Sequence, residues 1–121
     1  MNSPHRIHRR SDFQRTLLQG VRMRTRDLDV HRLEVASSWP DRSRADVALL
    51  GGPWLGMVVS KKVGNSVIRH RVARRIRAAF RQAVLPIDST ESYFVIRARP
   101  SAASRSSAEF AEQLRRVVSK A

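Results

Sequence analysis

The sequence predicts an α+β fold, a small sheet packed by helices, and three observations carry that expectation. Ile68, Val72, Ile76, Ala79, Phe80 and Ala83 recur at helical spacing, which makes a long amphipathic helix. Residues 54–60 (WLGMVVS) and 93–100 (YFVIRARP) have the aromatic and β-branched content of strands. Ser11 with Gln14, and Ser106 with Glu109, have the three-residue offset of a capping box at a helix start. A chain of 121 residues can bury one core but not two independent ones, so a single domain over 11–121 is expected.

Taken in order, residues 1–10 hold His5, Arg6, His8, Arg9 and Arg10 with little apolar content, which reads as a basic flexible arm. A short helix is expected over 12–19, opened by Ser11 and stopped by Gly20, with Phe13 and Leu17 on one face. For Phe13 alone, core packing is the simplest reading. Residues 27–36 (DLDVHRLEVA) suggest a strand with one wetted face, on which Asp29 and His31 point the same way. The stretch 37–53 reads as a long loop with a strand fragment at 47–50.

The strand at 54–60 runs into Lys61 and Lys62; Gly64 and Asn65 then interrupt it, with Asn65 placed to cap the helix that follows. Opposite that helix's apolar stripe lie His70, Arg74, Arg77 and Arg81, with Arg71 and Arg75 along one border and Arg69 along the other. Pro86 closes the region, 88–91 form a turn, and the strand at 93–100 ends at Pro100. A flexible turn at 101–107 leads to a last helix whose buried stripe is Phe110, Leu114, Val117 and Val118. With the fragment counted, the order is α-β-β-β-α-β-α, with about four strands.

Charge points to the partner. Twenty-four Lys and Arg stand against ten Asp and Glu, a formal +14, and most of the cations are Arg, whose planar fork binds phosphate bidentately. Eight basic residues fall within 61–81, and no Asp or Glu lies between Trp54 and Ile87. Like charges at i and i+4 destabilise a helix by a few tenths of a kcal/mol per pair, and a surface shaped only by stability would interleave Glu. A polyanion is the expected ligand.

Several classes are excluded or disfavoured. The absence of cysteine removes disulfides, thiolate metal sites and a cysteine nucleophile. No apolar run approaches the length of a membrane span, and the first ten residues lack the apolar core of a signal peptide, so a cytoplasmic protein with no membrane partner is expected. No carboxylates pair for acid–base work; Glu109 and Glu112 more simply begin a helix. His5 and His8 are the nearest approach to a metal-ligand spacing, and no phosphate-cradling glycine loop is present. The sequence argues against an autonomous enzyme, and no catalytic residue or dedicated metal site is expected in the chain.

Residues 59–77, VSKKVGNSVIRHRVARRIR, closely resemble the protein component of bacterial ribonuclease P: a strand ending in Ser-Lys-Lys, then Gly-Asn, then a helix opening with an Arg-Asn-Arg motif. DFQRT after a basic arm, the strand at 27–36 and YFVIRARP match family counterparts in order and spacing. The resemblance implies a small, mostly antiparallel sheet of four strands packed by helices, with a left-handed βαβ crossover into the arginine helix. It implies a monomer within a ribonucleoprotein, in which the catalytic RNA subunit carries the chemistry with Mg²⁺ held mainly by RNA and substrate. By position, Lys61, Lys62, Asn65, Arg69, His70, Arg71, Arg74 and Arg75 would contact RNA. Phe13, Leu17, His31 and Tyr93 would line a cleft for the 5′ leader of precursor tRNA. The chain departs from the motif at His70, which replaces the Asn, and at Ala73, where the family has Lys; an imidazole cannot reproduce an amide pair. The alternative is a ribosomal or RNA-chaperone protein using the same helix on folded RNA. A helix-turn-helix DNA binder would need a short helix before the basic one, and strands flank it instead.

Overall fold

The computed structural model describes residue 7 and residues 10–34, 53–86 and 92–120. Helix α1 (Arg10–Gln19) is followed by strands β1 (Val21–Arg24), β2 (Leu28–Glu34) and β3 (Trp54–Val58). Helix α2 (Ser66–Ala83), strand β4 (Ser92–Ala98), a 3₁₀ turn (Pro100–Ser104) and helix α3 (Ser107–Lys120) complete the chain. The four strands form one sheet in the order β1-β2-β4-β3. β1 and β4 pair antiparallel with β2, whereas β3 and β4 are parallel, so α2 is the crossover between two neighbouring strands.

The sheet is covered on both faces. Leu28, Val30, Leu55, Phe94, Ile96 and Ala98 pack with Val72, Ile76, Phe80, Phe110 and Leu114 in the main core, which α2 and α3 close. On the other face Trp54, Tyr93 and Val95 form a smaller cluster with Ile7, joined by Phe13 and Leu17 of α1. Alternation along each strand divides the residues between these faces, and register keeps them there, because a one-residue slip would exchange the two sets. Phe80 meets Phe94 edge to face, with ring centroids 5.5 Å apart.

Several expectations are corrected. α1 opens at Arg10, so Ser11 lies inside the helix and does not cap it. The extra strand is Val21–Arg24; its VRMR sequence lacks the apolar run that marks a strand and is stabilised as an edge by pairing with β2. The fragment at 47–50, the turn at 88–91 and most of the arm at 1–10 lie outside the described residues. β2 is buried at Leu28, Asp29, Val30 and Leu33; on the face expected to be wet His31 is half-exposed, and Asp29 is enclosed by the side chains of Arg22, Arg24 and Arg99. The segment expected as a flexible turn begins with the 3₁₀ turn, whose Ala102 is fully buried.

The ends of that region are held by polar groups. Ser106 and Glu109 form the expected capping box, with Glu109 N donating to Ser106 Oγ at 3.2 Å and Ser106 N to Glu109 Oε1 at 3.0 Å. Asp27, fully buried, accepts from Gln113 Nε2 at 2.7 Å and pairs with Arg105 at 3.1 Å and Arg26 at 3.2 Å, tying β2 to α3. Burial alone would raise the Asp27 pKa, but hydrogen bonds from Ser101, Gln113, Arg26 and Arg105 overcome it and hold the carboxyl below its ordinary value.

A carboxyl with a lowered folded-state pKa stabilises the protein above its unfolded value and loses that contribution as pH falls through the folded value. Asp27→Ala should therefore lower unfolding free energy by about 2–4 kcal/mol at neutral pH, because Gln113 and Arg105 lose a buried partner. Urea denaturation followed by circular dichroism checks this, and the deficit relative to the parent should shrink below about pH 4.

Candidate nucleic-acid interface

Asn65 fixes where the basic helix begins. Its backbone is extended, and its side-chain oxygen accepts from Ile68 N at 3.0 Å, which satisfies one of the free donors of the first turn. Gly64 precedes it because a Cβ there would lie 2.8 Å from Ile68 Cγ2. From that start the helical period sets every later side chain. Val72, Ile76, Ala79, Phe80 and Ala83 are buried; His70, Arg74, Arg77 and Arg81 are exposed; and Arg69, Arg71 and Arg75 are half-buried at the borders.

The electrostatics of the helix differ from those of the rest of the chain. Among the described residues no carboxylate pairs with Arg69, Arg71, Arg74, Arg75, Arg77 or Arg81, whereas Arg105 and Arg116 of the α3 region pair with Glu109 and Glu112. Arg69 and Arg71 each keep a buried Nε with no hydrogen-bond partner. Arg75 is different: its Nη1 donates to the Arg105 carbonyl at 2.9 Å, so one of its donors braces α2 against the turn before α3. Lys61 and Lys62 are exposed in the turn between β3 and α2, three and four residues beyond Val58 of the smaller cluster.

That cluster builds a second surface. Tyr93 is buried, its ring tilted 30° against Trp54 at 5.0 Å between centroids, and its hydroxyl donates to Asp12 Oδ2 at 3.2 Å. The bond anchors α1 to the sheet. The next residue, Phe13, lies over Gly56, where a Cβ would come within 2.7 Å of the ring, so only glycine lets the ring sit so close to β3. Ile7 is buried beside it, and its N–H donates to the Leu55 carbonyl at 2.9 Å. In the next columns of the sheet, His31 stands opposite Arg22 on β1 and Val95 on β4. Burial pushes the His31 imidazole below its ordinary pKa, the cations Arg22 and Arg97 add to this, and Asp29 opposes it; its Nδ1 is buried without a partner.

A family model described as Ribonuclease P matches residues 1–121. The chain belongs to the ribonuclease P protein family. The ribonuclease P protein component of Rhodococcus opacus is 47% identical over 118 residues, covering 93% of this chain and 84% of that protein. That of Corynebacterium urealyticum is 36% identical over 124 residues, covering 96% and 94%. Two solved structures share the fold. The RNase P protein of Staphylococcus aureus superposes with a TM-score of 0.73 at 24% identity, over 98% of this chain and 95% of that one. That of Thermotoga maritima gives 0.72 at 18%, over 96% of each.

The ribonuclease P fold thus brings Phe13, Leu17, His31 and Tyr93 to one face of the sheet, with Tyr93 beneath the surface as a support. The basic residues lie on α2 and in the turn that leads to it; His70 points outward between the half-buried Arg69 and Arg71. Sequence reasoning missed Ile7, Trp54 and Gly56 as parts of this surface. The period-two alternation Trp54, Gly56, Val58 carried the signal, since it sets those three on one face of β3. Ile7 had none, being one apolar residue within a basic stretch.

Gly56→Ala should destabilise the protein by about 1–3 kcal/mol, because the added methyl must displace the Phe13 ring. In a Phe13→Ala background the same change should cost clearly less, and a double-mutant cycle by urea denaturation reads the difference.

Proposed function

We propose that this protein binds the catalytic RNA subunit of ribonuclease P through α2 and the Lys61–Lys62 turn, and holds the 5′ leader of precursor tRNA over the sheet face beside Phe13 and Leu17. The observation that carries the reading is that, among the described residues, none of the six arginines on α2 pairs with a carboxylate, whereas Arg22, Arg24, Arg26, Arg32, Arg99, Arg105 and Arg116 all do. Family membership supplies the reaction, endonucleolytic maturation of the tRNA 5′ end, and with it an RNA subunit and a tRNA substrate as partners. The RNA performs the cleavage with Mg²⁺. Among the described residues no three His, Asp or Glu side chains gather as a donor set for a metal.

Each basic residue has a role that its position supports. Arg69 and Arg71 flank the helix, so their guanidinium groups can engage phosphates on either side of it, while Arg74 and His70 extend that contact outward. Lys61, Lys62 and the amide nitrogen of Asn65 form the bridge from helix to sheet, and Arg75 adds its remaining donors. The leader passes as a single strand: its phosphates follow the basic turn, and Phe13 and His31 offer ring surfaces to bases or sugars, with little sequence readout. A neutral imidazole at position 31 stacks without adding charge. Among the described residues no helix is long and apolar enough to cross a membrane.

Reconstitution tests the reading. The purified protein alone should leave precursor tRNA intact, and adding it to the cognate RNA subunit at low Mg²⁺ should restore cleavage; no restoration would overturn it. Binding to ribosomal RNA without leader dependence would favour a ribosomal or chaperone role instead. Affinity for the RNA subunit should fall with salt at a log–log slope of about −3 to −6, for about five to eight phosphates neutralised. Arg69→Ala with Arg71→Ala should weaken that binding about tenfold or more, by filter binding, while the unfolding free energy changes by less than about 1 kcal/mol.

A further inference from the structure

β1 ends the sheet and leaves backbone groups open. In the strand order β1-β2-β4-β3, no strand lies beyond Val21–Arg24 among the described residues. Thr25 N–H donates to the Leu28 carbonyl at 2.8 Å, and hydrogen-bonded pairs alternate along an antiparallel ladder, so the register makes Met23–Val30 and Val21–Arg32 such pairs as well. The N–H and C=O groups of Arg22 and Arg24 therefore point away from β2. They are the groups a further strand would bond.

Alternation sorts the side chains of this edge into two unlike rows. Arg22 and Arg24, 58% and 66% exposed, project on the side where α1 packs and share Asp29 with Arg99. Three guanidinium groups to one carboxylate leave an excess of positive charge. On the other side Val21 is 66% exposed and Met23 lies half-buried against the main core. Beside Met23 a cavity of about 590 Å³ separates β1 from α3, with Arg26, Glu112, Gln113, Arg116 and Val117 in its walls. The edge is thus cationic on one side and apolar, above a groove, on the other.

We infer that β1 is a docking edge for an extended acidic segment of a protein partner, which adds to the sheet antiparallel to β1. Backbone bonds to Arg22 and Arg24 hold such a segment, and its alternate side chains set the specificity. Residues opposite Arg22 and Arg24 share their side of the sheet and are acidic; residues between them are apolar and cover Val21 and Met23 at the mouth of the groove. A second copy of this chain does not fit, because antiparallel self-pairing centred on Met23 would set Arg22 of each copy opposite Arg24 of the other. RNA fits less well than a peptide: Glu109 and Glu112 line the groove, and the outward carbonyls of Arg22 and Arg24 need N–H donors, which phosphates lack. Neither α2 nor the surface beside Phe13 takes part.

The test uses the full chain and a synthetic peptide of about eight residues that alternates Glu and Val, the length of an ordinary strand. By fluorescence polarisation the protein should bind it about tenfold more tightly than a peptide with the same residues in two blocks, which carries the same charge but cannot present one row to each side. Methylating the Glu amide nitrogens, which face β1 in antiparallel pairing, should abolish binding, whereas methylating the Val nitrogens, which face solvent, should preserve it. Arg22→Gln with Arg24→Gln should weaken binding about three- to tenfold, through two lost cross-strand charge pairs, with the thermal midpoint close to the parent's. Equal affinity for the alternating and blocked peptides would assign binding to charge alone and overturn the docking edge. So would equal affinity for the two methylated peptides, which probe the pairing on the unaltered protein. If the parent ignores the peptide and the glutamine variant self-associates, the arginines serve only to keep the edge from pairing. If the parent ignores the peptide but binds oligouridylate, and the glutamine variant loses that binding, the edge belongs to RNA and the peptide site is overturned equally.

Discussion

The structure depends on β4 more than on any other element. It is paired on both sides, antiparallel to β2 and parallel to β3, and buried on both faces. Phe94, Ile96 and Ala98 face the core under α2 and α3, while Tyr93 and Val95 face α1. One seven-residue strand therefore fixes both candidate surfaces: it is the wall against which the arginine helix packs, and the floor on which the cleft stands. Its pairing is also the last to become possible along the chain, since β1, β2 and β3 all precede it. Both of its ladders thus close late and over long sequence separations, a slower kind of assembly than local hairpin formation.

Carboxylates are distributed as though rationed to joints. Asp27 links β2 to α3, Asp29 steadies the arginines of the sheet, Asp12 receives Tyr93, and Glu109 caps α3. The Glu109 carboxyl, held by the Ser106 backbone and hydroxyl and by the nearby Arg105 and Arg26, has a pKa below its ordinary value. None of these groups is on α2. The fold satisfies its own polar groups with the few anions it has, and the positive charge of α2 is left to be neutralised by something else.

Local rules were enough to read the helices. The stripe from Ile68 to Ala83, the cap at Asn65 and the box at Ser106 all depend on contacts within a turn, and the structure shows each of them. Where a partner decides, the sequence was silent: VRMR becomes β1 only because β2 offers it a ladder, and Ile7 is buried only because Leu55 and Phe13 receive it. The same division applies to the site. The basic helix was evident from its composition, and Phe13 with Leu17 from their spacing. The support of Tyr93 by Asp12, 81 residues apart, and the commitment of Arg75 to the Arg105 carbonyl are tertiary facts with no local signature.

The bare charge of α2 also bears on how the protein exists when alone. Its arginines repel one another along the helix, so the folded form holds electrostatic free energy that any bound polyanion releases. By linkage, whatever binds the folded state and not the unfolded one deepens the folded well by an amount set by its concentration relative to its dissociation constant. If α2 binds the RNA subunit as proposed, RNA is in this sense a folding partner as well as a ligand, supplying from outside the negative charges that the helix sequence omits. On that reading the free and bound proteins differ in stability, and the supply of RNA subunit sets how much of the chain remains in the less stable form.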